Sequence, residues 1–183
     1  INDAPVISSS NTASVAENQT SAIDVNHTDA DGDTITYTLS GGADAALFNI
    51  VASTGVVTFK VAPNFEALGS AASSNNYVIN VTATDDGTGT LTDTQTITIS
   101  VTNINDAPVI SSSNTASVAE NGSGTVIDVN HTDADTDTIT YTLSGGVDAG
   151  LFNIVSSTGV VTFKVAPNFE ANGSNAGNNN YVI

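Results

Sequence analysis

The side chains most able to do chemistry in this chain are carboxylates gathered into short acidic stretches. In the first hundred residues these stretches centre on Glu17, Asp29, Asp31, Glu66 and Asp85. The chain has 19 acidic residues against two basic ones, and its formal net charge is −17. Six to eight carboxylate, amide and carbonyl oxygens are what Ca²⁺ prefers. Zinc favours histidine and cysteine, which are scarce and absent here, respectively. The acids therefore predict a calcium site.

The acidic stretches recur because the chain is a tandem repeat. Residues 1–18 return unchanged at 104–121, and residues 25–67 return at 129–171 with four differences. The copied acids are Glu120, Asp133, Asp135 and Glu170. A period near 104 residues predicts one domain per repeat. We expect repeat 1 at 1–103, with its preceding linker residues, and repeat 2 at 104–183, C-terminally incomplete and part of a longer array.

The elements that position these acids are strands. Apolar and polar residues alternate along most of each repeat, which is typical of strands with one buried face. The clearest runs are 34–39, 77–83 and 97–101, and turns rich in Gly, Asn and Asp separate the strands. About seven strands in about 100 residues predict an all-β fold of tandem seven-strand immunoglobulin-like β-sandwiches. A helical turn is predicted at residues 44–47.

Loops alternate between the two ends of an antiparallel sandwich, and this places the acids in two groups. The group where the chain leaves repeat 1 comprises Glu17, Glu66, Asn105 and Asp106. The group where the chain enters a repeat comprises Asp29, Asp31 and Asp85 in repeat 1, and Asp133 and Asp135 in repeat 2. In a tandem array the exit of one repeat faces the entry of the next. Converging carboxylates repel one another strongly unless a cation lies between them.

Several short sequence motifs, taken in their order and spacing, resemble those of the cadherin repeat family in its bacterial, cadherin-like form. The motifs are Val15-Ala-Glu17-Asn, Asp29-Ala-Asp31, Phe48-Asn-Ile-Val-Ala-Ser-Thr-Gly55, Asn64-Phe-Glu66, Ala83-Thr-Asp85 and Asn103-Ile-Asn105-Asp106-Ala-Pro108. The resemblance spans all of repeat 1 and all that is present of repeat 2. It implies cadherin-like sandwiches with Ca²⁺ ions that stiffen the joints between repeats.

The ligands that the resemblance implies are of three kinds. At the joint between the repeats they are Glu17, Glu66, Asn105, Asp106, Asp133 and Asp135. At the entry to repeat 1 they are Asn2, Asp3, Asp29, Asp31 and Asp85, and at the exit of repeat 2 they are Glu120 and Glu170. Asn64 and Asn103 stand where the family usually has acids. Because each replaces a carboxylate by a neutral amide, we expect fewer or weaker ions than usual.

Two other chemical interpretations fail on the residues. Asp29-Ala-Asp31-Gly-Asp33 resembles the start of an EF-hand loop, but position 6 is Thr34 rather than Gly and position 12 is Ser40 rather than Glu. An enzyme would need a nucleophile and a base, and no such pair is evident beside the two histidines. Glu17 and Glu66 could form a glycosidase pair, but a joint would occlude them. We therefore predict no enzymatic activity.

Two further patterns have less specific interpretations. Threonine rows, at 34–38 and 96–102, are compatible with a sugar- or ice-binding face, although threonine also suits a solvated strand. Asp24, Asp44 and Asp93 are interpreted as turn residues, since aspartate favours turns.

The predicted function follows from repetition and charge. A net charge of −17 disfavours nucleic acid and anionic membranes as partners, and no membrane-inserted segment is expected. We predict a calcium-stiffened spacer or filament-forming segment of an extracellular, cell-surface adhesin or fibre. Its partners would be neighbouring repeats and like chains. The alternative is that the repeats themselves mediate homophilic or carbohydrate-binding adhesion.

Overall fold

Strands form the framework of the protein, seen in a computed structural model that describes residues 1–183. The chain divides into two units, Ile1–Ile104 and Asn105–Ile183. The helical segments are three short 3-10 turns, Ala45–Leu47, Ala149–Leu151 and Phe169–Ala171. None of them is long or apolar enough to cross a membrane. The first of these turns lies where the sequence predicts one.

The first unit contains nine strands. In chain order they are β1 (Val6–Ile7), β2 (Thr12–Ala16), β3 (Ser21–Asp24), β4 (His27–Thr28), β5 (Thr36–Gly41), β6 (Phe48–Ile50), β7 (Val56–Phe59), β8 (Asn76–Thr84) and β9 (Thr92–Thr102). Seven of them form two sheets, in the orders β2-β9-β8-β5 and β3-β7-β6, and β1 pairs with β4 alone. The predicted seven-strand sandwich is confirmed.

Two details of the sheets differ from the sequence prediction. Strand β2 pairs with β9 in parallel, with Thr12 opposite Thr98, so the larger sheet is mixed rather than antiparallel. The strand predicted at 34–39 corresponds to β5, but β5 begins two residues later, at Thr36, and ends at Gly41. The backbone N–H of Thr34 donates to Asp86 Oδ1 over 2.8 Å. A side-chain acceptor therefore takes the place of a ladder hydrogen bond at this residue.

The core lies between the two sheets of the first unit. Strand β8, and strand β9 from Ile97 onward, alternate buried and outward residues. Ile79, Val81, Ile97 and Ile99 are fully buried. Burying each such side chain stabilises the fold by about 1.5–3 kcal/mol. The rings of Phe48, Phe59 and Tyr77 close one side of this core, with the Phe48 and Phe59 centroids 4.3 Å apart. This packing holds the loops at both ends of the unit.

The second unit has five strands: β10 (Val109–Ile110), β11 (Thr125–Asp128), β12 (His131–Thr132), β13 (Phe152–Ile154) and β14 (Val160–Phe163). They form a sheet of order β11-β14-β13 and the pair β10-β12. Residues 140–145 copy β5 but form no strand. In the first unit β5 pairs with Asn80–Thr84 of β8. The copy of β8 in the second unit comprises only Asn180–Ile183, the counterparts of residues 76–79, which do not pair with β5.

Candidate metal centre

The turn before β5 folds around a carboxylate. Asp29 Oδ1 accepts hydrogen bonds from the backbone N–H groups of Asp31, Gly32 and Asp33, over 3.0, 2.8 and 3.1 Å. Aspartate favours such turns because its side chain can replace a backbone acceptor. Gly32 has a φ of +76°, which glycine adopts without steric cost. The turn brings carboxylate oxygens of Asp29, Asp31 and Asp33 within 4.8 Å of one another.

Two oxygens in this turn are buried without a hydrogen bond. Asp29 Oδ2 and Asp33 Oδ2 are both inaccessible to solvent and accept from no donor. A buried acceptor without a donor is unfavourable, and more so if it is charged. Burial raises the pKa of Asp33, and the charge of Asp29 raises this pKa further, with smaller contributions from Asp86, Asp85 and Asp31. A bound cation would satisfy both oxygens and offset the repulsion among these charges.

The N-terminal residues lie against this turn. Asn2 donates from Nδ2 to Asp85 Oδ2 over 3.0 Å, and the backbone N–H of Asp3 donates to Asp31 Oδ2 over 2.7 Å. The other oxygen of Asp85 accepts from the backbone N–H of Leu91 over 2.9 Å. All five predicted entry residues of repeat 1 (Asn2, Asp3, Asp29, Asp31 and Asp85) are therefore held at one end of the unit.

Two residues of this end, Asp33 and Asp86, were missing from the predicted site. Asp33 supplies one of the two buried oxygens, and Asp86 fixes the start of β5 through Thr34.

Gly87 leaves space for the oxygens of Asn2 and Asp33 at this end of the unit. A Cβ at this position would lie 2.2 Å from Asn2 Oδ1 and 2.3 Å from Asp33 Oδ2. The glycine therefore allows the backbone to approach the oxygens closely, and its place after two aspartates was the available sequence signal. We call residues 2, 3, 29, 31, 33 and 85–87 the entry cluster.

The opposite end of the first unit carries a second carboxylate group. Glu17 is fully buried. Its Oε2 accepts from the backbone N–H of Phe65 over 3.0 Å, and its Oε1 accepts from that of Ile104 over 2.8 Å. Oxygens of Glu17 and Glu66 lie within 4.8 Å of each other. We call Glu17 and Glu66 the exit pair.

Backbone geometry holds the exit pair in place. Asn18 has a φ of 62°, a conformation that asparagine tolerates better than most residues. Its N–H donates to the carbonyl of Pro63 over 2.9 Å. The side chain of Asn64 accepts from the N–H of Ala67 over 2.8 Å and so closes the turn that contains Glu66. The amide that replaces the family's usual acid is thus part of a turn.

The second unit repeats the entry arrangement in part. The backbone N–H of Asp106 donates to Asp135 Oδ2 over 2.5 Å, as that of Asp3 does to Asp31. Asp133 Oδ1 accepts from the N–H of Asp137 over 3.1 Å, while Asp133 Oδ2 is buried without a hydrogen bond. The same orphaned oxygen therefore occurs in both copies of the turn. Asn105 is exposed.

The predicted exit residues of the second unit, Glu120 and Glu170, are more exposed than Glu17 in the first unit. Glu120 is exposed, and its Oε2 accepts from the N–H of Phe169 over 3.3 Å. Glu170 is also exposed, and its N–H donates to Asn168 Oδ1 over 2.9 Å. In the first unit the N–H of Glu17 donates to the carbonyl of Thr102 at the end of β9. The second unit has no counterpart of β9 to bury Glu120 in this way.

Of the three aspartates interpreted as turn residues, Asp44 does lie in a turn. Asp24 and Asp93 lie in strands β3 and β9, so the interpretation was wrong for these two. Asp44 is buried and accepts from the N–H groups of Ala71 and Val78, over 2.6 and 2.7 Å. Asp93 lies within β9, and its Oδ2 accepts from the N–H of Ile7 over 2.8 Å. Asp44 and Asp93 both join segments distant in sequence. They stabilise the fold and do not belong to the entry cluster or the exit pair.

The oxygen-rich entry cluster and exit pair suit a hard divalent cation such as Ca²⁺. Comparison with known proteins gives the context. Residues 11–102 match the family model for the cadherin domain, and residues 105–179 match the model for the bacterial Ig domain. No curated protein matches the chain.

Several solved structures share the fold. The human protocadherin-24 EC1-2 structure (Form II) has a TM-score of 0.67 and 22% identity, over 92% of this chain and 80% of that one. Drosophila N-cadherin EC1-4 has a TM-score of 0.62 and 28% identity, over 90% and 42%. The protocadherin gammaB7 EC3-6 cis-dimer has a TM-score of 0.58 and 22% identity, over 91% and 45%. The chain thus spans less than half the length of the last two.

Cadherin and bacterial Ig domains are typically extracellular, and cadherin domains generally bind calcium. Cadherin domains and the matching structures are adhesion and structural proteins rather than enzymes, so the prediction of no enzymatic activity is confirmed. The cadherin model covers half of the chain. This chain therefore belongs to the cadherin family.

Proposed function

We propose that this chain is a calcium-stiffened segment of an extracellular repeat array, serving as a spacer or as a filament-forming part of a surface fibre or adhesin. The observation that carries the proposal is the pair of buried, unsatisfied oxygens of Asp29 and Asp33. A fold that buries carboxylate oxygens without donors is destabilised unless a cation binds. The copy of this arrangement at Asp133 supports the same conclusion for the second repeat.

The proposed joint uses the exit pair with the entry residues of the second unit. Its ligands are Glu17, Glu66, Asn105, Asp106, Asp133 and Asp135. Ile104 donates to Glu17, and Asp106 donates to Asp135. Only Asn105 separates Ile104 from Asp106, so the chain limits their Cα separation to about 7 Å. Connectivity alone therefore supports a common ion for both groups.

At such a joint the ion and the protein side chains would have different roles. The bound Ca²⁺ supplies positive charge, which neutralises carboxylates that would otherwise repel one another. Buried Glu17 is held by two backbone donors, so its orientation is fixed before the ion arrives. Glu66 is exposed at the same end. Neighbouring repeats of the chain, and like chains in a fibre, are the proposed partners, and the proposed location is the cell surface.

A calcium titration of the chain tests the proposal. Isothermal titration should show binding of Ca²⁺, and calcium should raise the midpoint of thermal unfolding. The free energy of unfolding should rise by about 2.7 kcal/mol when free Ca²⁺ is in hundredfold excess over Kd. Mg²⁺ should bind more weakly, since it demands tighter octahedral geometry. Unfolding curves that coincide in millimolar Ca²⁺ and in chelator would refute the proposal. A variant with Asp29→Asn and Asp31→Asn should lose part of the calcium-dependent shift.

A further inference from the structure

The outer face of the larger sheet in the first unit carries no charge. Seventeen side chains of β2, β5, β8 and β9 lie opposite the buried positions. They are Thr12, Ser14, Ala16, Thr36, Thr38, Ser40, Asn76, Val78, Asn80, Thr82, Thr84, Thr92, Thr94, Thr96, Thr98, Ser100 and Thr102. Thirteen of them bear a hydroxyl group and none is acidic or basic. We call this surface the hydroxyl face.

The hydroxyls of this face form rows across the strands. Thr82 of β8 lies opposite Thr38 on one neighbouring strand and opposite Thr94 on the other. Ser100 lies between Ser14 and Asn76 in the same way. Neighbouring strands are about 4.8 Å apart, and outward residues on one strand are about 6.7 Å apart. The face therefore presents a regular lattice of hydrogen-bonding groups.

Hydrogen bonds within the face orient these groups. Thr96 donates to Asn80 Oδ1 over 2.9 Å, and Ser100 donates to Asn76 Oδ1 over 2.7 Å. The hydroxyl of Thr82 lies 2.7 Å from that of Thr94. A hydroxyl that donates its proton to a neighbour keeps acceptor lone pairs, and an amide that accepts through oxygen keeps N–H donors. The face offers donors and acceptors together, already ordered.

The charge distribution narrows the kind of partner that fits. In a chain with 19 acids, anionic polymers are repelled, and cationic ones should be drawn to the acidic ends of the unit. The hydroxyl face has two aliphatic side chains, Ala16 and Val78, which give little apolar area for a protein partner. The class of partner that fits is therefore a neutral, hydroxyl-rich polymer. Its hydroxyl groups act as both donors and acceptors and can pair with the donors and acceptors of the face.

We propose that the hydroxyl face binds neutral polysaccharide. Each contact is weak, since a hydrogen bond exchanged with water contributes only modestly. Repetition of the face along a longer array would add avidity without any new contact. The proposal goes beyond stiffening by calcium and does not require it.

The test is retention of the chain on microcrystalline cellulose and on chitin, with alginate as an anionic comparison, in the presence of Ca²⁺. We expect retention on at least one neutral polymer and at least about fivefold weaker retention by the double variant T94V/T96V, which removes two hydroxyls and keeps their shape. The matched control is T58V/T162V, which makes the same change on the smaller sheet of each unit.

Each outcome decides the matter. Failure of the chain to bind either neutral polymer would overturn the proposal, as would equal retention on alginate. Equal retention of T94V/T96V and the unsubstituted chain would show that the hydroxyl face is not the binding surface. Loss of retention by T58V/T162V as well would indicate non-specific adsorption. Calcium binding is measured separately by titration, so a spacer without sugar binding and a sugar binder without calcium are distinguishable.

Discussion

The carboxylate of Glu17 accepts a hydrogen bond from the backbone N–H of Ile104 over 2.8 Å, and the two residues are 87 positions apart. This contact ties the end of β2 to the residue that closes the first unit. The other oxygen of Glu17 accepts from Phe65, next to Glu66. One buried side chain therefore joins three loops of the exit end, and its role in the fold precedes any role in binding an ion.

Substitution of Glu17 should separate its structural role from its ligand role. We expect Glu17→Ala to lower the free energy of unfolding by about 1–3 kcal/mol even in chelator, because two backbone donors lose their acceptor. Glu66→Ala removes an exposed side chain and should lower stability more in Ca²⁺ than in chelator. Urea unfolding with and without calcium measures both. Equal losses for the two variants in chelator would contradict this division.

The copy of Glu17 provides an internal control. Glu120 is exposed and accepts one longer hydrogen bond, of 3.3 Å. Glu120→Ala should therefore cost less than Glu17→Ala under the same conditions. A loss as large as that of Glu17→Ala would mean that the burial of Glu17 contributes little.

Gly87 should control calcium affinity at the entry cluster. Gly87→Ala would push its new methyl group into Asn2 Oδ1 and Asp33 Oδ2, so both oxygens must move. Because these are the ends of movable side chains, stability in chelator should change little. Displacing groups that orient ligands weakens metal binding by about 10–100-fold, and we expect a loss in this range by isothermal titration.

The control for Gly87 is Gly150→Ala. A Cβ at Gly150 meets nothing within 4 Å, and repeat 1 has alanine at the equivalent position, Ala46. This variant should bind calcium as the unsubstituted chain does. Unchanged calcium binding by Gly87→Ala would mean that the entry cluster does not hold the ion.

Asn64→Asp should tighten calcium binding at the exit end. Asn64 Oδ1 accepts from Ala67, and a carboxylate can accept the same hydrogen bond while adding a negative charge beside Glu66. More carboxylates raise affinity for a hard cation. Isothermal titration checks this against Asn49→Asp, which adds the same charge at an exposed position of β6. Equal affinities for the two variants would show that residue 64 is remote from the ion.

Much of the fold could be predicted because strand alternation is a local property. Ile79, Val81, Ile97 and Ile99 are buried as their period-2 spacing requires. The parallel pairing of β2 with β9 could not be predicted in this way, because periodicity reports which face is buried and not which strand lies alongside. Pairing depends on contacts between residues that are far apart in sequence.

The site shows the same division between local and distant information. The turn around Asp29 was evident from its spacing, since one aspartate can accept from several following N–H groups. Asp93 was assigned wrongly to a turn because its donor, Ile7, comes from a distant strand. The hydrogen bond from Val78 to Asp44 was not predicted for the same reason. Asp86 was missed for the same reason, since its contact with Thr34 arises only in the folded unit. Asp33 lies in the local turn of Asp29 and Asp31, and its spacing was a signal that the sequence prediction did not use.

Calcium should also restrict motion between the two repeats. Without the ion, the proposed ligands Glu17, Glu66 and Asp106 would repel Asp133 and Asp135 over a screening length of about 8 Å at physiological salt. In the proposed joint these groups would bind the same ion, and Pro108 limits backbone freedom in the linker. Small-angle scattering in Ca²⁺ and in chelator measures the effect. We expect a longer, narrower distribution of dimensions with calcium. The variant Asp133→Asn/Asp135→Asn should give similar profiles in both conditions. A maximum dimension of the unsubstituted chain that stays the same or shortens when Ca²⁺ is added would exclude a calcium-stiffened strut.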